Sequence, residues 1–351
     1  MSPSYTRVHG QLPAVARPYD VCTRELERAT AEVFAMDPQV VSVGIGRLPG
    51  GHGFRVLRRR APGVRALREL DARALAQGVR GVAIDLHELS APIQPLLQLP
   101  ASNVSPSASQ AMIAEQGQHR PLYAGVQLQN WDADARRGLL AAERMEVGSL
   151  GMMIEHSEGP LLLSNNHVLA GQNHGRLGDR VAQPGGARLR GDDVVAYLER
   201  FVELEASPVG ARPARGDVIW NRVDAAVARL ANGLGWKPGF LPRYKLPRPG
   251  RPANPVLGDL VFKVGRTTGL RRGRIVGVNE RLGPVSYALG DCWFRGSFTI
   301  EGLGGRSFSE GGDSGAVVVR DNGEVIGMIY AGNGVETFAC PITDALSALD
   351  L

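Results

Sequence analysis

The chain has 351 residues, 43% of them hydrophobic and 21% charged, a balance that excludes a disordered or fibrous protein and leaves room for two or three hydrophobic cores. Three cysteines, Cys22, Cys292 and Cys340, are too few for a disulfide framework, so free buried thiols are expected, with a Cys292–Cys340 pair the alternative in an exported chain. The formal charge of +5 is carried almost wholly by arginine, and no apolar run approaches the ~20 residues that span a bilayer, so no membrane segment is expected.

Residues 1–20 read as a loose tail without the apolar core and cleavage site of an export signal, which predicts a cytoplasmic location. From Thr23 to about Ala35 the pattern is helical, with Leu26, Ala29, Val33 and Phe34 on one face. Val40 to Ile45 and Gly53 to Leu57 then read as strands joined by a Pro49-Gly50-Gly51 turn, Arg65 to Leu75 as helix and Val79 to Leu86 as strand. Residues 21–90 therefore predict a small α+β domain. The stretch 91–120 is rich in Pro, Ser, Ala and Gln with few charges, and reads as a linker.

Residues 121–351 predict a mainly β domain in two halves. Strands are expected over Val147 to Glu155, Pro160 to Ser164, Arg180 to Ala182, Val194 to Val202 and Val218 to Leu230 in the first. Those of the second are expected over Leu260 to Val264, Arg274 to Asn279, Cys292 to Ile300, Ala316 to Arg320, Val325 to Tyr330 and Thr337 to Ile342, before a closing helix from Thr343 to Asp350. A proline-rich, acid-free connector at about 237–256 separates the halves.

Three segments carry chemistry: Ser164-Asn165-Asn166-His167-Val168, Val223-Asp224-Ala225-Ala226-Val227, and Gly311-Gly312-Asp313-Ser314-Gly315 followed by the apolar run Ala316 to Val319. A serine hydroxyl is a poor nucleophile at neutral pH; it needs an imidazole to accept its proton and a carboxylate to hold that imidazole in the useful tautomer. Each segment alone has a bland reading as a turn, a core histidine or a strand-end carboxylate. In this order, His then Asp then Ser, they resemble the chymotrypsin-like (trypsin-fold) serine proteases. The match departs from that family in having Asn165 and Asn166 where two small residues usually precede the histidine. Val264-Gly265-Arg266-Thr267-Thr268-Gly269 resembles the hairpin opening the second barrel in bacterial members, and residues 21–90, with Val43-Gly44-Ile45-Gly46, resemble the N-terminal extension of a bacterial group of trypsin-like peptidases. An arginine-, alanine- and glycine-rich coding bias also fits a GC-rich bacterial genome.

The resemblance implies a chymotrypsin-like double β-barrel preceded by the small α+β domain, acting as a serine endopeptidase. His167 would be the base, Asp224 its orienting carboxylate and Ser314 the nucleophile, with the amides of Gly312 and Ser314 as the oxyanion hole. It also implies a specificity pocket walled by Phe308, Tyr330 and Gly332. Phe308 stands where basic-selecting members carry an Asp, so cleavage after Arg or Lys is not implied and small or apolar side chains are favoured. Glu310 and Glu336 are the carboxylates within reach of that pocket, read as solvated. The Arg274-Ile275-Val276-Gly277 sequence imitates an activation cleavage site, but it follows both His167 and Asp224, so Asp313 must find a partner other than a new N-terminus.

No cofactor and no metal is implied, since the histidines lack ligand spacing. The expected partner is a protein or peptide substrate, with a regulatory protein on the 21–90 domain as a further one. The basic stretches Arg55 to Arg60 and Lys237 to Arg251 lack the interleaved aromatics of a nucleic-acid surface, so no nucleic acid is expected. Two alternatives stand beside a general protease. One is a catalytically silent trypsin-fold binding module. The other is an enzyme acting on one dedicated protein, its own chain included, with self-cleavage sought near Ser105 to Gln118.

Overall fold

A computed structural model describes residues 16–59, 79, 81–89, 91–96, 114–140 and 145–351. The expected helix from Arg65 to Leu75 and the 97–113 part of the linker lie outside these residues. Among the described residues no helix is long and apolar enough to cross a membrane.

The first half of the main domain is a seven-stranded antiparallel sheet, in the spatial order Val147–Ser149, Gln127–Asn130, Arg180–Ala182, Val194–Phe201, Ala226–Leu230, Leu161–Ser164 and Met152–Ile154. Leu161, Leu162 and Leu163 are all fully buried, as a continuous apolar run requires of a strand covered on both faces. In the second half Leu260–Gly265, Gly269–Tyr287, Gly290–Gly302, Glu336–Pro341, Val325–Gly332 and Val317–Arg320 pair in turn until the sheet closes on itself. The helix Ile342–Ala348 follows, with Ile342 and Ala345 buried.

The stretch expected as one strand over Val218 to Leu230 is broken. Trp220–Asn221 pairs with Trp293 and Phe294 of the second barrel, whereas Ala226–Leu230 belongs to the first. Residues 222–225 therefore cross between the barrels, which is where Asp224 stands.

The N-terminal helix Tyr19–Met36 packs on the strands Val40–Leu48 and Gly51–Arg59, and Ile84–Leu89 lies parallel to the latter. These strands extend the second barrel: Val40–Leu48 pairs antiparallel with Gly269–Tyr287, setting Ser42 opposite Leu282 and Ile45 opposite Val278. The basic Arg55 to Arg60 stretch is not a surface patch where it is described. Arg55 and Arg58 are buried, Arg55 reaching Glu336 at 2.9 Å and Glu280 at 3.5 Å, and Arg58 lying 3.4 Å from Asp37. Glu336, expected to be solvated, is that buried partner.

The linker is not wholly unstructured either. Gln94–Pro95 forms a short strand antiparallel to Val325–Gly332, with Pro95 opposite Ala331 and Gln94 opposite Gly332. Two residues of Pro/Gln composition carry no strand signal of their own; the partner edge supplies it.

Candidate active site

The buried strand Leu161–Ser164 delivers the chain to the short helix Asn166–Leu169, which holds His167. Its neighbour Ala226–Leu230 sets Ala226 opposite Ser164, so Asp224, two residues earlier, faces His167. His167 Nδ1 lies 2.5 Å from Asp224 Oδ2, both side chains fully buried, and the His167 backbone amide donates to Asp224 Oδ1 at 3.2 Å. The asparagines that depart from the family pattern have structural partners: Asn165 donates to the Asp224 carbonyl at 2.6 Å, and Asn166 to the Val202 carbonyl at 2.6 Å.

Sequence reasoning missed Tyr287. Its hydroxyl donates to Asp224 Oδ2 at 2.8 Å, adding a third donor to the carboxylate. Burial, then the Asp224 charge, pushes the phenol well above its ordinary value, so it remains a donor at any working pH. Tyr287 lies near the end of a strand expected to stop at Asn279, too far from any motif to stand out.

Ser314 sits in a turn that two glycines make possible. Gly312 has φ +97°, and a Cβ there would lie 2.4 Å from Thr267 Oγ1; Gly315 has φ +88°, and its Cβ would lie 2.0 Å from Ser164 Oγ. The first barrel grips this turn. The Ser149 amide donates to the Ser314 carbonyl at 2.7 Å, its hydroxyl to the Gly312 carbonyl at 3.1 Å, and Ser164 donates to the Ser149 carbonyl at 2.8 Å. Gly148 lies between the His167 and Ser314 segments, since a Cβ on it would meet both Val168 and the Ser314 carbonyl.

Asp313 takes an internal cation in place of a new N-terminus. Its carboxylate accepts from Lys263 Nζ at 2.8 Å, from Thr268 Oγ1 at 2.6 Å, and from the amides of Thr267, Thr268 and Glu310 at 2.9, 3.2 and 3.1 Å. Burial alone would push this carboxyl up; the Lys263 charge and these donors outweigh it and leave the carboxyl below its ordinary value.

Of the residues expected as pocket walls, Tyr330 and Gly332 meet Leu96. Phe308 is fully buried, the Tyr330 carbonyl accepts from the Leu96 amide at 3.1 Å, and a Cβ on Gly332 would lie 3.2 Å from the Leu96 side chain. The Gly312 amide donates to the Leu96 carbonyl at 2.5 Å. The Ser314 hydroxyl donates to the Tyr330 carbonyl at 3.5 Å, and His167 Nε2, though buried, has no hydrogen-bond partner among the described residues. The histidine–aspartate contact is thus made and the serine–histidine hydrogen bond is not. Among the described residues no cluster of His, Cys, Asp and Glu gathers as a metal site.

The trypsin-like peptidase domain profile matches residues 149–328, more than half of the chain. The chain belongs to the trypsin-like peptidase domain family. Similar solved structures include Thermobifida fusca protease A, 21% identical over 57% of this chain and 88% of that one with a TM-score of 0.39. A Nocardiopsis protease is 16% identical over 65% of this chain and 96% of that one, TM-score 0.42, and an α-lytic protease homologue, N4, is 19% identical over 65% and 97%, TM-score 0.42. No curated protein sequence matches the chain. The fold is the mainly β trypsin fold, and the activity it supports in general is that of a peptidase acting on protein or peptide substrates.

Proposed function

We propose that the protein is a serine endopeptidase acting on a dedicated protein target. Ser314 attacks the scissile carbonyl while His167 Nε2 takes its proton and returns it to the leaving amine. Asp224, supported by Tyr287, holds the imidazole tautomer. The amides of Gly312 and Ser314 receive the oxyanion, and water then hydrolyses the Ser314 ester. The observation that carries this reading is the buried His167–Asp224 contact of 2.5 Å, beside a Gly312 amide that already donates to a carbonyl oxygen.

The runner-up, a trypsin-fold module that binds without cutting, draws on the unmade bond between Ser314 and His167 Nε2. Catalytic hydrogen bonds often close only when substrate is positioned. A fluorophosphonate probe separates the two, because only an activated serine reacts. It is applied to wild type and to Leu96→Asp, a substitution that places a charge where the Leu96 side chain is buried and should drive residue 96 from the cleft. The expected outcome is a single adduct on Ser314, lost in His167→Ala, with Ser314→Ala reducing turnover by on the order of 10⁶. No adduct in either chain would favour the silent module.

A further inference from the structure

We propose that residues Ile93–Leu96 are a substrate for the chain's own active site, and that the peptide bond beginning at the Leu96 carbonyl, Leu96–Leu97, is the one it cuts. The inference rests on the serine-peptidase reading above and goes beyond it by naming a bond, a register and a side-chain preference.

The segment lies in the cleft as an extended strand of the polarity a substrate would need. Gln94 and Pro95 run antiparallel to Val325–Gly332, opposite Gly332 and Ala331, and the Leu96 amide donates to the Tyr330 carbonyl at 3.1 Å. In an antiparallel ladder facing residues alternate between bonded and non-bonded positions, and Pro95 falls between two positions that can bond, where a missing N–H costs nothing. Edge pairing accounts for that much. It does not account for the next contact: the Leu96 carbonyl leaves the ladder and accepts from the Gly312 amide at 2.5 Å. Gly312 is in the nucleophile turn, two residues before Ser314, whose hydroxyl lies on the same Tyr330 carbonyl that receives the Leu96 amide.

Leu96 is 7% exposed and belongs to one buried apolar cluster with Phe308, Ala316, Ile329 and Ala339. Gly332, expected from the sequence as a pocket wall, thus lies against a leucine of the same chain, and Phe308 belongs to the same buried cluster. The carboxylates near that pocket are engaged elsewhere, Glu336 with Arg55 and Glu310 with the Ser307 hydroxyl at 2.9 Å. An apolar residue is therefore the side chain the pocket takes, and the position lies upstream of the Ser105 to Gln118 stretch that the sequence offers for self-cleavage.

The reaction consumes one water. Ser314 Oγ bonds to the Leu96 carbonyl carbon and its proton passes through His167 to the Leu97 nitrogen, which leaves as an amine. Water then breaks the ester, regenerating Ser314 and leaving a carboxylate on Leu96. The N-terminal product does not fall away, because Val40–Leu48 remains paired with Gly269–Tyr287 and Arg55 with Glu336. The cut is a nick in a complex that stays assembled.

Intact mass and N-terminal sequencing of the purified full chain test this. The wild type should convert to fragments 1–96 and 97–351 at a rate independent of protein concentration, co-eluting on size exclusion, while Ser314→Ala stays whole. Leu96→Met should still be cut, and Leu96→Asp should be cut at least about 100-fold more slowly, since the pocket offers a carboxylate no partner. An uncut wild type whose Ser314, or that of Leu96→Asp, takes the fluorophosphonate overturns self-cleavage and leaves the peptidase reading standing. Absence of both cutting and labelling overturns the two together. Cutting at another bond, or equal cutting of Ser314→Ala, also sinks the proposal. The wild-type and Ser314→Ala comparison does not depend on whether the Leu96→Asp chain folds.

Discussion

Lys263 and Asp313 are both fully buried, and each is the other's compensation for leaving water. Removing one member of such a pair strands the other, a change that costs ~3–5 kcal/mol. Lys263→Met should lose about that much stability and most of the turnover, because Asp313 also anchors the turn carrying the Gly312 amide; Lys263→Met with Asp313→Asn should recover part of the stability. Denaturant unfolding of the four chains as a double-mutant cycle reads the coupling. The same carboxylate sets an acid limit. Its folded value lies below the ordinary ~3.9, so the unfolded chain binds more protons in the window between the two, and stability is present above that window and lost as pH falls through it. Asp313→Asn should flatten this part of the acid-unfolding curve. Asp134 behaves in the opposite sense. Burial raises its carboxyl to about 7 in spite of a 2.7 Å hydrogen bond from Gln129, so the native chain holds the extra proton and stability declines as pH rises from about 4 through 7. Asp134→Asn should therefore gain stability over wild type at pH ~8, by at most about 4 kcal/mol, and little at pH ~4. At the proposed triad, Tyr287→Phe removes one of three donors to Asp224, and kcat should fall by roughly tenfold with KM unchanged, as for the loss of one hydrogen bond to a charged group.

Among the elements, the long strand Gly269–Tyr287 is the hub, pairing with Leu260–Gly265, Gly290–Gly302 and the N-terminal Val40–Leu48. Glu280 on that strand is fully buried and accepts from Arg55, from Thr299 at 2.9 Å and from Ser42. Burial pushes its carboxyl up even with Arg55 beside it. Arg55→Met would leave both Glu280 and Glu336 without their cation, and the melting temperature should drop by the equivalent of ~3–5 kcal/mol, with Arg55→Lys losing less. These elements also show what the sequence could carry. The helix near Thr23, the strands around the Pro49-Gly50-Gly51 turn and the strand leading to His167 follow local periodicity and turn chemistry, and periodicity is local. The His, Asp and Ser segments were legible because each brings its own neighbours. Lys263 was not, since Phe262-Lys263-Val264 reads as any strand with one residue facing water; nor was Arg55, since nothing in the basic stretch around it marks one arginine as buried. The roles of Tyr287 and Gln94–Pro95 depend on partners 63 residues or more away in the chain, a relation no window of sequence contains.

In the whole molecule the N-terminal residues are built into the peptidase rather than appended to it. Their strands continue the second barrel's sheet, Phe34 packs edge-on against Trp293 with ring centroids 5.6 Å apart, and the Tyr19–Met36 helix buries Leu26, Ala29 and Val33 in the cluster that also holds Ile275 and Phe298. Expressed alone, residues 97–351 would expose the Val278 to Leu282 side of the hub strand as an unpaired edge and leave Glu280 and Glu336 facing no arginine. An edge of that kind pairs with other copies, and stranded buried charges weaken the fold beneath it. The fragment should therefore aggregate, whereas co-expression with residues 1–96 as a separate chain should return a soluble one-to-one complex. In that complex the Leu96 carboxylate, re-seated by the Gly332 edge, should depress peptide hydrolysis relative to a complex carrying Leu96→Asp, a comparison read by initial rates at equal Ser314 titre. A soluble, fully active 97–351 chain would show instead that the barrels fold and work without the strands that extend them.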